Sequence, residues 1–140
     1  MKYFTLLVVA LMAAFQTQAQ MVSVTFNVNM ANETVDPAGP HLAGGSDFGN
    51  PGDNPMSDAD GDGVWTITVE VESGYTGYYT FTNGACADWG CKENIAGQDC
   101  AHPENYNDRQ LENITEDTVI NTCFGQCTTD GSCPTSTGAV

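Results

Sequence analysis

Three groups of residues in this chain have types and spacings that could do chemistry. Asp58, Asp60 and Asp62 alternate along Asp58-Ala59-Asp60-Gly61-Asp62-Gly63. Three carboxylates at alternate positions next to glycine resemble the opening of an oxygen cage for calcium. A helix–loop–helix calcium site also needs a bidentate acid at the twelfth position, which here is Val69, with Glu70 one residue late. The same string suits a plain acidic turn into a strand, and both readings stand. The second group is aromatic: Phe48, Tyr75, Tyr78, Trp89 and Tyr106 offer flat apolar faces of the kind that stack on a pyranose ring. Asn83, Asn105, Asn107, Asp108 and Arg109 offer groups that read hydroxyls, although Asn and Asp also serve as turn residues. The third group is Glu70 and Glu72, whose carboxyls would lie roughly 7 Å apart on one strand face, compatible with a glycosidase acid pair. Alternating acids on an exposed strand are ordinary solvation, so this signal is the weakest. His41 and His102 lie in proline-flanked segments without a Ser or Cys partner and read as surface or turn histidines. Nothing in the chain matches a nucleophile elbow, a phosphate loop or a zinc-protease helix. The expectation is a binding protein, not an enzyme.

Among the aromatics, Trp65 is in phase with Ile67, Val69 and Val71 and reads as core. Tyr78 is out of phase with Tyr79 and Phe81, which places it on the other face of its strand. Trp89 lies between Cys86 and Cys91 in a short polar loop. A disulfide there could hold the indole outward as a platform, or the ring could fold over the sheet edge as a cap. The six cysteines, Cys86, Cys91, Cys100, Cys123, Cys127 and Cys133, are even in number and lie late in the chain. Their spacings do not form paired C-x2-C knuckles, so disulfides are favoured over zinc. Six cysteines allow 15 pairings. Proximity in sequence favours Cys86–Cys91 and Cys127–Cys133 as small loops, with Cys100–Cys123 as the long closure.

The oxidising compartment follows from the start of the chain. Lys2 precedes the apolar run Phe4 to Phe15, and Thr17-Gln18-Ala19 offers small residues before a cleavage point at Gln20. That is the layout of a signal peptide over residues 1–19, and the run is too short to span a bilayer. The expected protein is secreted, with no membrane span. A formal charge of −15, with three basic residues against 18 acidic ones, disfavours nucleic acid and anionic membranes as partners.

The elements that must carry these groups read as β-strands. Val22, Val24, Phe26, Val28 and Met30 alternate with polar residues, a period-two pattern. Residues 32–63 are rich in Gly, Pro, Asn and Asp, with one short extended piece at His41-Leu42-Ala43. Trp65 to Glu72 alternates again, Tyr78 to Thr82 makes another strand before the Asn83-Gly84 turn, and Arg109 to Ile114 and Thr118 to Phe124 make two more. Short alternating strands separated by turns predict an all-β, immunoglobulin-like β-sandwich with a disulfide-stapled, loop-rich C-terminal extension. The domain spans residues 20–133, and residues 134–140 form a flexible tail or linker.

The order VTFNVNM, HLAGG, PMSDADGDGVWTITVEV, GYTGYYTFTNG resembles the early-set, immunoglobulin-like carbohydrate-binding modules of the glycogen- and starch-binding kind. The match runs from about residue 22 to residue 133. The tail GACADWGCKENIAGQDCAHPENYNDRQLENITEDTVINTCFGQC is similar to the cysteine-bearing extension of secreted marine bacterial versions, which often sit beside glycoside hydrolases. In those modules the acidic string is a hairpin turn into the tryptophan strand. One position departs from the pattern: where a tryptophan often follows "G-x-F-N", this chain reads Gly45-Ser46-Asp47-Phe48-Gly49-Asn50. The resemblance therefore carries the fold and not the sugar specificity.

The expectation is a secreted module that binds polysaccharide, glucan-type, through Trp89, Tyr78 and Tyr106 with Asn83, Asn107 and Arg109. It needs no cofactor beyond a candidate calcium at Asp58, Asp60 and Asp62, and would partner a catalytic domain or another extracellular module. The alternative is an extracellular structural or adhesion domain stabilised through the acidic loop.

Overall fold

The computed structural model describes residues 17–135. The apolar run of the leader and the end of the tail, residues 136–140, lie outside the described residues. Seven strands follow in order: β1 Met21–Asn29, β2 Pro40–Ala43, β3 Asn54–Pro55, β4 Val64–Glu72, β5 Tyr75–Asn83, β6 Arg109–Ile114 and β7 Thr118–Cys123. One 3₁₀ turn, Pro103–Asn105, interrupts the connection between β5 and β6. The strands form a three-stranded sheet, β4-β1-β7, and a four-stranded sheet, β3-β2-β5-β6. Facing each other across one core, they make the expected β-sandwich.

Strand β1 forms because its branched and aromatic residues recur every second position, which fits a pleat with one buried face. Val22, Val24, Phe26, Val28 and Met30 are all buried. Phe26 packs edge-on to Tyr79 at 4.9 Å, Phe48 at 6.0 Å and Phe81 at 6.2 Å, joining the two sheets. Strand β1 pairs antiparallel with β4 and parallel with β7, so it lies centrally in its sheet. Trp65 packs against this core, as its phase requires. Phe48 is buried in the core, and Tyr75 packs against it with its hydroxyl donating to Asp47 Oδ2 at 2.8 Å. Neither ring is a surface platform.

On β5 the alternation fails in an informative way. Tyr79, Thr80, Phe81 and Thr82 are buried in succession, because chain returns over both faces of this sheet. Thr82 Oγ1 donates to Gly84 O and Thr80 Oγ1 to Glu93 Oε1. His41, on the neighbouring β2, is only 4% exposed and its Nδ1 has no hydrogen-bond partner. The reading of His41 as a surface or turn histidine is therefore corrected: it is a buried strand residue.

All six cysteines are bridged, as Cys86–Cys91, Cys100–Cys127 and Cys123–Cys133. The pairings Cys127–Cys133 and Cys100–Cys123 are overturned. Strand β7 ends at Cys123 and the chain folds straight back, with Gln126 N donating to Cys123 O. That turn carries Cys127 against Cys100, while Cys133 continues to the end of β1, where Asn29 Nδ2 donates to Gly131 O. Nearness along the chain and nearness in space part company at this turn.

Candidate functional site

The segment that leaves β5 builds the site. After Asn83 and Gly84 the chain makes the Cys86–Cys91 loop and returns beside β5, with Asn83 N donating to Cys91 O and Glu93 N donating to Phe81 O. Thr82 pairs with Lys92 in this short ladder. Residues 91–93 thus occupy the edge of β5 that β6, paired with Tyr75 to Tyr79, leaves free. Successive residues of an extended segment point opposite ways, so Lys92 turns toward the surface and Glu93 toward the interior.

Glu93 meets Arg109 there. Arg109 Nε and Nη2 donate to Glu93 Oε1 and Oε2, each at 2.8 Å, and Nη1 donates to Thr122 Oγ1 at 2.9 Å. Nη2 also donates to the carbonyls of Cys123 and Gln126, and the guanidinium lies 5.5 Å from the centre of the Phe81 ring. Burial works against the charge on Arg109, but Glu93 outweighs it and holds the guanidinium above its ordinary pKa. At 4% exposure, with its donors taken by protein, Arg109 is a buried strut between β6 and β7. Its assignment as a ligand-reading residue is corrected on that ground.

Lys92 and Asp108, one residue before each member of that pair, meet on the surface side. Lys92 Nζ lies 2.5 Å from Asp108 Oδ1 and donates to Tyr106 O at 2.6 Å. Asn105 Nδ2 donates to Asp108 Oδ2 at 3.0 Å. Asp108 Oδ1 makes no directed hydrogen bond, so its compensation is the neighbouring ammonium charge. Burial lifts the Asp108 carboxyl above the ordinary carboxylate range, and Lys92 offsets part of that rise.

Above this ion pair stand two aromatic rings. Trp89 is 37% exposed at the tip of the Cys86–Cys91 loop, and Tyr106 is 84% exposed at the end of the 3₁₀ turn. Trp89 has φ 63° and Tyr106 φ 56°, followed by Asn107 at φ 59°. Large side chains rarely adopt left-handed backbone, which costs on the order of 1–3 kcal/mol per residue and persists only where neighbouring contacts impose it. The contacts are present: Gly90 N donates to Asp88 Oδ1 and Lys92 N to Trp89 O. Around Tyr106, Asn107 N donates to His102 O, Asp108 N to Asn105 O and His102 N to Asp108 O. The result is a groove of about 580 Å³ lined by Gly45, Trp89, Lys92, Asn105, Tyr106 and Asp108. Two ring walls and a polar, charge-paired floor can stack on an apolar face and exchange hydrogen bonds with hydroxyls. Trp89 is partly exposed and is not among the residues that pack into the core cluster.

The other expected site residues lie elsewhere. Tyr78 is half-buried; its hydroxyl donates to Glu104 Oε1 at 3.4 Å and its ring packs edge-on to His102 at 5.6 Å. It does not border the groove. The amide of Asn83 is already engaged, Oδ1 accepting from Asp36 N and Nδ2 donating to Thr34 O. Asn107 shapes the turn without lining the groove. Glu70 and Glu72 are exposed on the outer face of β4, Glu70 accepting from Ser23 Oγ, and neither borders the groove. The sequence reading left out Lys92. The available signal was that Lys92-Glu93 and Asp108-Arg109 are complementary pairs holding the only two basic residues after Lys2.

Asp58, Asp60 and Asp62 do cluster, with one oxygen from each within 4.8 Å of the others. Their carboxylates also cap the turn into β4: Asp58 accepts from the N–H groups of Asp62 and Gly63, and Asp62 Oδ1 accepts from Val64 N. A desolvation cost acts on Asp58, but the Gly63 and neighbouring donors hold it below the ordinary carboxylate range. For Asp60 the Asp62 N–H acts downward, and the adjacent Asp58 and Asp62 carboxylates outweigh it and raise the group.

No protein-family model matches this chain, and no curated protein matches it. Among solved structures it is similar to a glucoamylase from Hormoconis resinae, with a TM-score of 0.53 and 21% identity. The match covers 84% of this chain and 20% of that chain. At this identity the likeness shows the fold, and this chain spans about a fifth of that enzyme's length. Among the described residues, no helix is long and apolar enough to cross a membrane.

Proposed function

We propose that this domain binds polysaccharide without cleaving it, as a secreted module that brings an extracellular glycoside hydrolase to a glucan. The observation that carries the reading is the convergence of Trp89 and Tyr106, two exposed rings on left-handed backbone, over the floor formed by Lys92, Asp108 and Asn105. The stacked sugar lies between the rings, and Asn105, whose amide oxygen is left free, exchanges hydrogen bonds with its hydroxyls, while Lys92 and Asp108 stay paired to each other. The fold shared with part of a glucoamylase supports the polysaccharide class, and three disulfides suit an extracellular setting. Such a site gives micromolar to millimolar affinity for an oligosaccharide, roughly −4 to −8 kcal/mol. Affinity electrophoresis through gels cast with α- and β-glucans tests it. Retardation that disappears in Trp89→Ala supports the reading; no retardation in any glucan, or the same retardation in the variant, removes it.

The second reading is a structural domain whose acidic turn holds calcium, favoured by the close approach of Asp58, Asp60 and Asp62. Calorimetry with Ca²⁺ separates the two. A heat of binding and a rise in melting temperature that vanish in Asp60→Ala support the structural reading, whereas glucan binding tolerates that substitution.

A further inference from the structure

Lys92 touches both walls of the groove through main-chain atoms. Its backbone N–H donates to Trp89 O at 3.1 Å, and its ammonium donates to Tyr106 O at 2.6 Å. The two contacts differ in what else supports the wall. Trp89 is one of the four residues between Cys86 and Cys91, which the bridge joins, so its loop is covalently limited. Tyr106 has no such bridge across its turn. Its ring is 84% exposed, so packing does little to hold it, and the following residue is also left-handed. The peptide it stands on therefore sets the direction in which the side chain leaves the backbone, and with it the region the ring can reach. The carbonyl of that peptide is the atom that Lys92 holds.

The ammonium is itself anchored. Asp108 Oδ1 lies 2.5 Å from it, and Asp108 is fixed by Asn105 Nδ2 and by its backbone bond to Asn105 O. Lys92 is also without a substitute: the only other basic residue after Lys2 is Arg109, which is committed to Glu93 and Thr122. Removing the ammonium would leave a buried carboxylate without its counter-charge and a strained tyrosine without its carbonyl partner. The bonds from Asn107 N to His102 O and from Asp108 N to Asn105 O would then hold the left-handed turn without it, and the loosened Tyr106 peptide would let the ring move off the groove.

We propose that Lys92 is a positioning residue: held by Asp108, its ammonium fixes the Tyr106 peptide and so sets the second aromatic wall before any ligand arrives. This deepens the polysaccharide reading and depends on it for the ligand, but not for the first measurement below. It also predicts that Lys92 acts on affinity through Tyr106 and not through a contact of its own with the sugar.

The test has two arms. Without ligand, amide hydrogen exchange and ¹⁵N chemical shifts compare the wild type with Lys92→Met, which keeps the apolar stem, and Lys92→Arg, which keeps the charge. Faster exchange at Asn107 and Asp108, with large shifts at Tyr106 and Asn107, is expected in Lys92→Met and largely reversed in Lys92→Arg. Unchanged shifts and exchange in Lys92→Met overturn the proposal. With ligand, α-1,4- and β-1,3-linked gluco-hexaoses are titrated into Lys92→Met, Tyr106→Ala and the double variant. Each single variant should lose about tenfold in affinity, and Lys92→Met should add less than about twofold once Tyr106 is gone, because both act through one ring. A full tenfold further loss in the double variant would mean that Lys92 reads the sugar directly and would overturn the positioning role. If the wild type binds neither hexaose, the polysaccharide reading falls while the ligand-free arm still decides the role of Lys92. Should Lys92→Met lose cooperative unfolding, Asp108→Asn, which frees the ammonium but keeps it, is read by the same two criteria.

Discussion

Substituting Glu93 by Gln isolates the contribution of the strut beneath the groove. The change keeps the shape of the side chain and removes its charge. In the native fold Glu93 accepts two bonds from Arg109, one from Gly125 N at 2.9 Å and two longer ones from Thr80 Oγ1 and Phe81 N, with no side-chain exposure. Gln can retain one acceptor oxygen but presents an amide N–H₂ to a guanidinium or to Gly125 N, so at least one charge-assisted bond is lost, about 1.5–3 kcal/mol. The guanidinium is then buried without a counter-charge, and breaking a buried pair on one side costs about 3–5 kcal/mol in total. Against the roughly 5–15 kcal/mol that holds a small domain together, such a loss moves the melting temperature by on the order of 15 °C. Urea unfolding followed by far-ultraviolet circular dichroism, with the disulfides intact, measures it. The denaturation midpoint should fall while the slope stays that of the wild type. Joint replacement by Leu at Glu93 and Met at Arg109 should recover much of the loss, since no charge then remains buried. A loss below about 1 kcal/mol in Glu93→Gln would mean that water reaches the pair, and the argument that Arg109 is unavailable to ligand would fail with it.

Three further outcomes follow from the fold. Removing Cys100–Cys127, which closes 27 residues, by the double serine variant should cost about 3.5 kcal/mol on the chain-entropy model; peptide mapping that finds Cys100 joined to Cys123 instead would refute the pairing. Tyr79 is pushed up to about 12 by burial and by Glu93, with Arg109 opposing. Its folded-state value is raised above the ordinary 10, so its contribution is complete below pH 10 and drains away as pH climbs through 12. In Tyr79→Phe that alkaline loss should be smaller, as read from urea midpoints across the window; an identical loss would refute the assignment. Gly39 has φ 71°, and a Cβ there would stand 2.9 Å from the Trp65 ring, so Gly39→Ala should destabilise by about 1–3 kcal/mol; a melting curve matching the wild type would contradict that packing.

The longer strands were readable because most obey a local rule, whereas the two-residue β3, Asn54–Pro55, sits in the Gly- and Pro-rich stretch and has no pattern to read. Strands β1 and β4 alternate against a single core, and the phase of Trp65 places it correctly. The rule breaks at β5, where chain covers both faces and buries Thr80 and Thr82 as deeply as Phe81. Trp89 was readable as a candidate from its place between two cysteines, but its orientation depends on the ladder between Asn83 and Cys91, which has no local signature. Tyr106 was visible as an aromatic in a polar segment; that it shares a groove with Trp89 follows from two successive left-handed residues, Tyr106 and Asn107, in the turn before β6. Arg109 shows the reverse failure. Its type suggested a sugar-reading group, and only the arrival of Glu93 from another segment makes it a strut. The misassigned disulfides have the same origin, since the fold-back after Cys123 brings Cys127 to a cysteine 27 residues away.

The chain holds two tryptophans, so its ¹H–¹⁵N spectrum carries two indole Nε1–H signals, one from the groove and one from the core. Titrating a gluco-oligosaccharide while watching those two peaks tests the groove most directly. The Trp89 signal should move in a saturable way, together with the backbone signals of Lys92, Asn105 and Tyr106, while the Trp65 signal stays in place. Two unmoved indole signals at millimolar ligand, or a response confined to Trp65 and the outer face of β4, would contradict the groove as the binding site.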